Sequence, residues 1–193
     1  MALALFRLNS DFIRVNEKSF QVGGVVLASR DINETLVLKY GLYYNSDRFG
    51  PFFAPLLGFD WKAAPKWRVF GIMPQSLTIE NKVSNLFRYG VAYFSPNITF
   101  QVNSPLRDLY LHQVQTRVGL FSDFYLSKKI AATLKVDYPF VGRYRVYRDS
   151  ETFAANIWGL GFGGSREKQT RPVEQLHHSL IFQVGISYRV ELE

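Results

Sequence analysis

The residues able to do chemistry are few. Three histidines occur in the 193-residue chain, His112, His177 and His178, and there is no cysteine. The lack of cysteine excludes disulfides, thiolate metal ligands and a cysteine nucleophile. In the stretch His177-His178-Ser179, His177 and Ser179 share one face of an extended strand, as a base and its hydroxyl nucleophile would. That chemistry also needs an acid to orient the base within hydrogen-bond reach. The next acid on the strand is Glu191, about 45 Å away at the rise of an extended chain. Glu174 is nearer but falls in a polar loop. A metal needs three or four convergent ligands, yet His177 and His178 point to opposite faces and His112 lies on another segment. Gly163-Gly164-Ser165-Arg166 lacks the lysine and the strand–loop–helix setting of a phosphate cradle. No catalytic centre, metal or cofactor is expected.

The charged residues are better organised. Lys39, Asp60, Lys62, Glu80, Lys82, Arg117, Asp123, Lys135, Asp137, Arg143, Arg145, Arg189 and Glu191 all fall on the polar phase of segments that alternate with a period of two. In "KKIAATLKVDYPFVGRYRVYR" (128–148) the even positions from Ile130 are apolar or aromatic, while the odd ones carry Lys135, Asp137, Arg143 and Arg145. Such alternation marks a strand with one apolar face. The same pattern gives expected strands at 20–30, 34–45, 52–62, 66–73, 76–83, 85–102, 109–126, 129–147, 151–162 and 176–191, with 2–8 as an extra. No segment carries the i, i+3, i+4, i+7 stripe of a helix. Pro55 and Pro139 lie inside strand patterns and predict breaks in the ladder.

Composition limits the remaining classes. The net charge of +7 would suit a nucleic-acid partner, but Lys and Arg are scattered and form no block of five or six. Nucleic acid is therefore not an expected partner. No run of 18 apolar residues exists, so no transmembrane helix is expected. The opening "MALALFRLNSDF" has neither the basic region nor the apolar length of an export signal.

An alternating all-β chain can turn its apolar face to lipid, or inward as a soluble barrel carrying an apolar ligand. Three features favour lipid. The expected strand at 129–147 is far longer than the usual five or six residues, and membrane strands overshoot the bilayer. The polar phase holds small residues (Gly41, Gly58, Gly119, Thr133, Ser179, Gly185 and Ser187), as a crowded lumen needs. Tyr44, Trp61, Trp67, Tyr144 and Tyr188 fall near strand ends, where aromatic girdles meet the membrane–water boundary. The joints also alternate between tight turns and longer polar loops, as in up-and-down membrane barrels.

Three stretches carry a resemblance. "FFAPLLGFDWKAAPKWRVFGIMPQSLTIENKVS" has a P-L-L-G strand, a Trp-led return strand and an M-P turn. "YLSKKIAATLKVDYPFVGRYRVY" has a turn, a strand, a small residue and R-x-Y-R-x-Y, and "VGISYRVEL" closes the pattern. Over roughly residues 34–190 the chain resembles an uncharacterised family of outer-membrane β-barrel proteins of Bacteroidota. The resemblance implies a fold and a location but no activity. The ending Val190-Glu191-Leu192-Glu193 differs from the terminal aromatic of many such barrels.

The expectation is a single all-β domain over 1–193, an antiparallel up-and-down transmembrane barrel of eight to twelve strands, with ten favoured, in a bacterial outer membrane. Its lumen is filled by paired charges drawn from Lys39, Asp60, Glu80, Lys82, Arg117, Asp123, Lys135, Asp137, Arg143, Arg145 and Arg189, because unpaired buried charge is costly. Its role is non-enzymatic, with outer-membrane lipid, lipopolysaccharide or other cell-surface proteins as partners. The alternatives are a small anion-leaning pore and a soluble carrier of an apolar ligand.

Overall fold

A computed structural model describes residues 1–9, 19–47, 50–103, 108–127, 129–148, 155–157, 160–162 and 179–188. Among these residues period-two alternation produces thirteen strands: β1 (Ala2–Leu8), β2 (Phe20–Asn33), β3 (Leu36–Asp47), β4 (Gly50–Ala64), β5 (Trp67–Met73), β6 (Ser76–Lys82), β7 (Phe87–Phe94), β8 (Asn97–Asn103), β9 (Asp108–Tyr125), β10 (Ile130–Arg148), β11 (Ala155–Ile157), β12 (Leu160–Phe162) and β13 (Ile181–Tyr188). The main path is an antiparallel meander, β1-β2-β3-β4-β5-β6-β7-β9-β10-β13. The path takes ten of the thirteen strands, with β8, β11 and β12 off it. The sheet is not closed: β1 and β13 are its edges, and no ladder joins them among the described residues. No helix among those residues is long and apolar enough to cross a membrane.

Two sequence-based strands behave differently from expectation. The segment 85–102 becomes β7 and β8, separated by Ser95-Pro96. Both pair with β9 in one continuous register, Phe94 opposite Arg117 and Asn97 opposite Val114. Pro96 brings no N–H to the ladder, so the strand is interrupted without slipping. The segment 151–162 is not a meander strand. It supplies the short β11–β12 hairpin, and β11 runs parallel to the start of β4, with Asn156 opposite Phe52. This is the edge of β4 that the shorter β5 leaves bare, because the β4–β5 register ends at Leu57 and Met73. The tenth meander position belongs to β1.

The prolines divide. The β9–β10 register shifts between Pro139 and Val141, as expected. Pro55 causes no shift, pairing with Leu42 in an unbroken β3–β4 register. The β4–β5 register has already ended at Leu57, so Pro55 has only β3 as a meander neighbour.

Tight turns cap one end of the meander, and side chains pin them. Asn33 Oδ1 accepts from the N–H groups of Thr35 and Leu36, both at 2.9 Å. Ser127 Oγ accepts from Ile130 N–H at 3.1 Å. Short polar side chains commonly stabilise turns this way.

Burial is inverted relative to a soluble core. Among the described residues the buried apolar side chains are Phe52, Ala54, Leu56 and Ala131, while the buried polar ones are Ser19, Gln21, Asn45, Glu80, Asn81, Thr99, Thr116 and Asp137. One ladder row on the apolar face runs Phe182, Val136, Leu120, Val91, Ile79, Val69 and Trp61. Leu120 is 66% exposed and Val184 79%. At the short-turn end this face carries aromatics: Trp67 meets Tyr89 edge-on at 6.3 Å, and Phe87 lies 5.0 Å from Phe124.

Candidate functional site

The polar face carries two ionic clusters. The first runs across four strands. Asp60 on β4 accepts both a 2.7 Å bond from Arg68 Nε to Oδ1 and one from Arg68 Nη2 to Oδ2, a two-point grip from β5. Arg68 Nη1 also reaches Glu80 Oε1 on β6 at 3.7 Å, and Arg88 Nη1 on β7 approaches the same oxygen at 3.6 Å. The register dictates this order. Arg68 stands opposite Glu80, and Asp60 opposite Phe70, so the fork reaches diagonally. Arg68 also covers the Phe70 ring at 4.7 Å and Arg88 the Tyr125 ring at 5.0 Å, so apolar surface supports both stems.

The second cluster lies on β9 and β10. Asp137 is fully buried, with Lys135 Nζ at 3.1 Å and Arg117 Nε at 3.7 Å. Its carboxylate rests over Gly119, where an added Cβ would fall 1.9 Å from Oδ1. Glycine is needed there because the acid occupies the space a side chain would fill.

This chain belongs to the family described as a domain of unknown function, DUF6268. The family profile matches residues 1–189. No curated protein and no solved structure matches the chain. The family description carries neither a location nor an organism, so the site must be read from its own geometry.

Of the expected lumen charges, Asp60, Glu80, Arg117, Lys135 and Asp137 are brought into these clusters. Asp123 accepts a 2.7 Å bond from Thr133 Oγ1 and stands opposite Arg88. Lys39 sits between Ser29 and Gly58 in register and joins neither cluster. Lys82 stands opposite Arg88 and is exposed. Arg143 and Arg145 lie in the β10 ladder opposite Val114 and His112, but their side chains are outside the described set. Arg189, Glu191, His177 and His178 fall outside the described residues.

Sequence reasoning missed Arg68 and Arg88, the cations that join the first cluster. On β5 Arg68 shares its face with Phe70 and Ile72, and on β7 Arg88 shares its face with Gly90, Ala92 and Phe94. Both faces therefore read as apolar. The available signal was local: Asp60 on β4 and Glu80 on β6 flank β5, whose one charged residue is Arg68, and covered acids need cations.

A further polar group gathers at the long-loop end. Gln21 Oε1 accepts from Asn9 Nδ2 and Asn45 Nδ2, each at 3.2 Å, and Thr99 Oγ1 donates to Asp47 Oδ2 at 3.1 Å. The last bond ties β8 to the end of β3. At the opposite end a cavity of about 570 Å³ opens beside the first cluster, lined by Lys62, Lys66, Arg68, Glu80, Lys82 and Arg88 together with Trp67 and the Ala63-Ala64-Pro65 turn.

Proposed function

We propose that this DUF6268 protein is an integral β-barrel of the bacterial outer membrane, of the kind found in Bacteroidota, with a structural or interaction role and no catalysis. The observation that carries the reading is the inverted burial: a polar, ion-paired face is covered while a continuous apolar face is exposed. Water would oppose that arrangement and lipid would favour it. The long loops at one end are then the surface that meets lipopolysaccharide or other cell-surface proteins. The paired charges fill the lumen.

The observed registers support closure of the sheet by β1 and β13. One ladder row passes from Ile181 through Asp137, Gly119, Ala92, Thr78, Phe70, Asp60 and Val37 to Asp31 on β2. Suppose the edges pair with Ala2 opposite Tyr188 and Leu8 opposite Phe182. Ile181 then faces Asn9, whose N–H donates to Ser19 O, the residue just before β2. One circuit of the barrel therefore climbs from Asp31 along β2 to Ser19, twelve residues. Twelve residues at about 3.3 Å each, over ten strands about 4.8 Å apart, correspond to a tilt of about 40°, central in the roughly 35–45° of membrane barrels. A one-residue slip would set apolar against polar faces. A two-residue slip moves the tilt to about 35° or 44°, the limits of that range.

Two experiments test the reading. Detergent-folded protein run on a gel with and without boiling is expected to migrate differently, and protein without detergent is expected to aggregate. A monodisperse, detergent-free protein would refute the membrane reading and turn the apolar face into a core or ligand pocket. Oxidation of Ala4→Cys with Ile186→Cys is expected to cross-link the edges, while Ala4→Cys with Phe182→Cys, four residues out of register, is not. The cation-rich cavity favours the pore as the second reading, and a steady anion-selective conductance in planar bilayers would establish it over the filled lumen.

A further inference from the structure

We infer that the cavity at the short-turn end is a binding site for small polyanions, soluble ions carrying two or more negative charges. Its charged lining is Lys62, Lys66, Lys82, Arg68 and Arg88 against the single carboxylate of Glu80. The two arginines are committed to Asp60 and Glu80, so they form a fixed, charge-balanced floor, and the excess positive charge is that of the lysines. Lys66 and Lys82 are not so committed, and Lys62 acts on Asp60 only from beyond ion-pair distance. Among the described residues no carboxylate lies within ion-pair distance of any of them, and all three are exposed. Free ammonium groups around a concave wall attract an anion that several of them touch at once.

The backbone holds this arrangement in place. Lys62 N–H donates to Thr35 O, and Lys82 N–H donates to Lys66 O, each at 2.8 Å. The β4–β5 turn is thereby tied to the β2–β3 turn on one side and to β6 on the other. Two of the three lysines flank that turn, so they converge without first ordering a loop, which lowers the cost of binding. A volume of about 570 Å³ is ample for a pyrophosphate-sized ion. The site gathers like charge, so an occupant that neutralises it should also stabilise the fold. Every lining residue lies between the β2–β3 turn and β7, so the site stands whether or not β1 meets β13.

The test is calorimetric titration of inorganic pyrophosphate into the detergent-folded full chain at low salt. Saturable binding is expected, weakening as salt rises because exposed charges are screened. Each of Lys62→Gln, Lys66→Gln and Lys82→Gln is expected to weaken binding about threefold, and the triple variant about thirtyfold. Lys129→Gln, exposed on the separate β9–β10 turn, is expected to leave it unchanged. Pyrophosphate should also raise the urea midpoint of the parent and not of the triple variant. No saturable heat at millimolar pyrophosphate, or a triple variant that binds like the parent, would overturn the inference. The single variants, each removing one exposed head group, carry the test if the triple variant folds poorly.

Discussion

Asp137 offers the sharpest test of the buried charge network. It is fully buried, while Lys135 and Arg117 each keep about a fifth of their side chains exposed, at 19%. Asp137→Asn keeps the shape and removes the charge, leaving two cations facing a neutral amide. Breaking a buried pair from one side costs about 3–5 kcal/mol. Partial exposure lets both cations recover some hydration, so about 2–4 kcal/mol is expected here. With a urea dependence of about 2 kcal/mol per molar, the unfolding midpoint should fall by about 1–2 M. The assay is urea unfolding in bilayers, read by the loss of the folded band on an unboiled gel. The network makes a second demand, that Lys135→Met cost less beside Asp137→Asn than in the parent, because it then removes an unpaired cation. A coupling of about 1 kcal/mol or more is expected. A midpoint within about 0.3 M of the parent, or strictly additive effects, would refute the claim that this carboxylate is paired and buried.

Leu120→Arg separates lipid from water at the apolar face: the site is 66% exposed, so an aqueous surface would change by about 0.5 kcal/mol at most, while lipid should charge about 2–4 kcal/mol in a bilayer-folded urea titration. Gly119→Ala drives a Cβ to 1.9 Å from Asp137 Oδ1 and is expected to destabilise by about 1–3 kcal/mol in the same titration. Arg68→Lys loses the two-point grip on Asp60 and should cost only about 1 kcal/mol, because the guanidinium is partly solvated.

How far the sequence reaches depends on which physical term decides each feature. Strand content was legible because one apolar face forces a period of two, and that period survives in β3, β9 and β10 nearly to the residue. Strand pairing was legible where turns are short, since a tight turn leaves its two strands no other neighbour. It failed at 151–162, where a long polar connection lets the hairpin choose among bare edges, and the one β4 exposes is set by how short β5 is. The ionic clusters divide in the same way. Asp137 was legible as an acid of the polar face because its own strand alternates cleanly, and Lys135 lies two residues away on the same face. Arg68 was not, because its partners sit on other strands and its own face is otherwise Phe70 and Ile72. A period identifies the face a residue takes, but a cross-strand partner is fixed only by register. Register here comes from turn lengths and from the irregularities at Asp31–Asn33, Trp61–Ala64 and Pro139–Val141, quantities that one strand read alone does not contain. The same argument explains why closure has to be reasoned from nine pairings together: each ladder is local, and only their accumulated offset along β2 selects the tilt that a tenth pairing must satisfy.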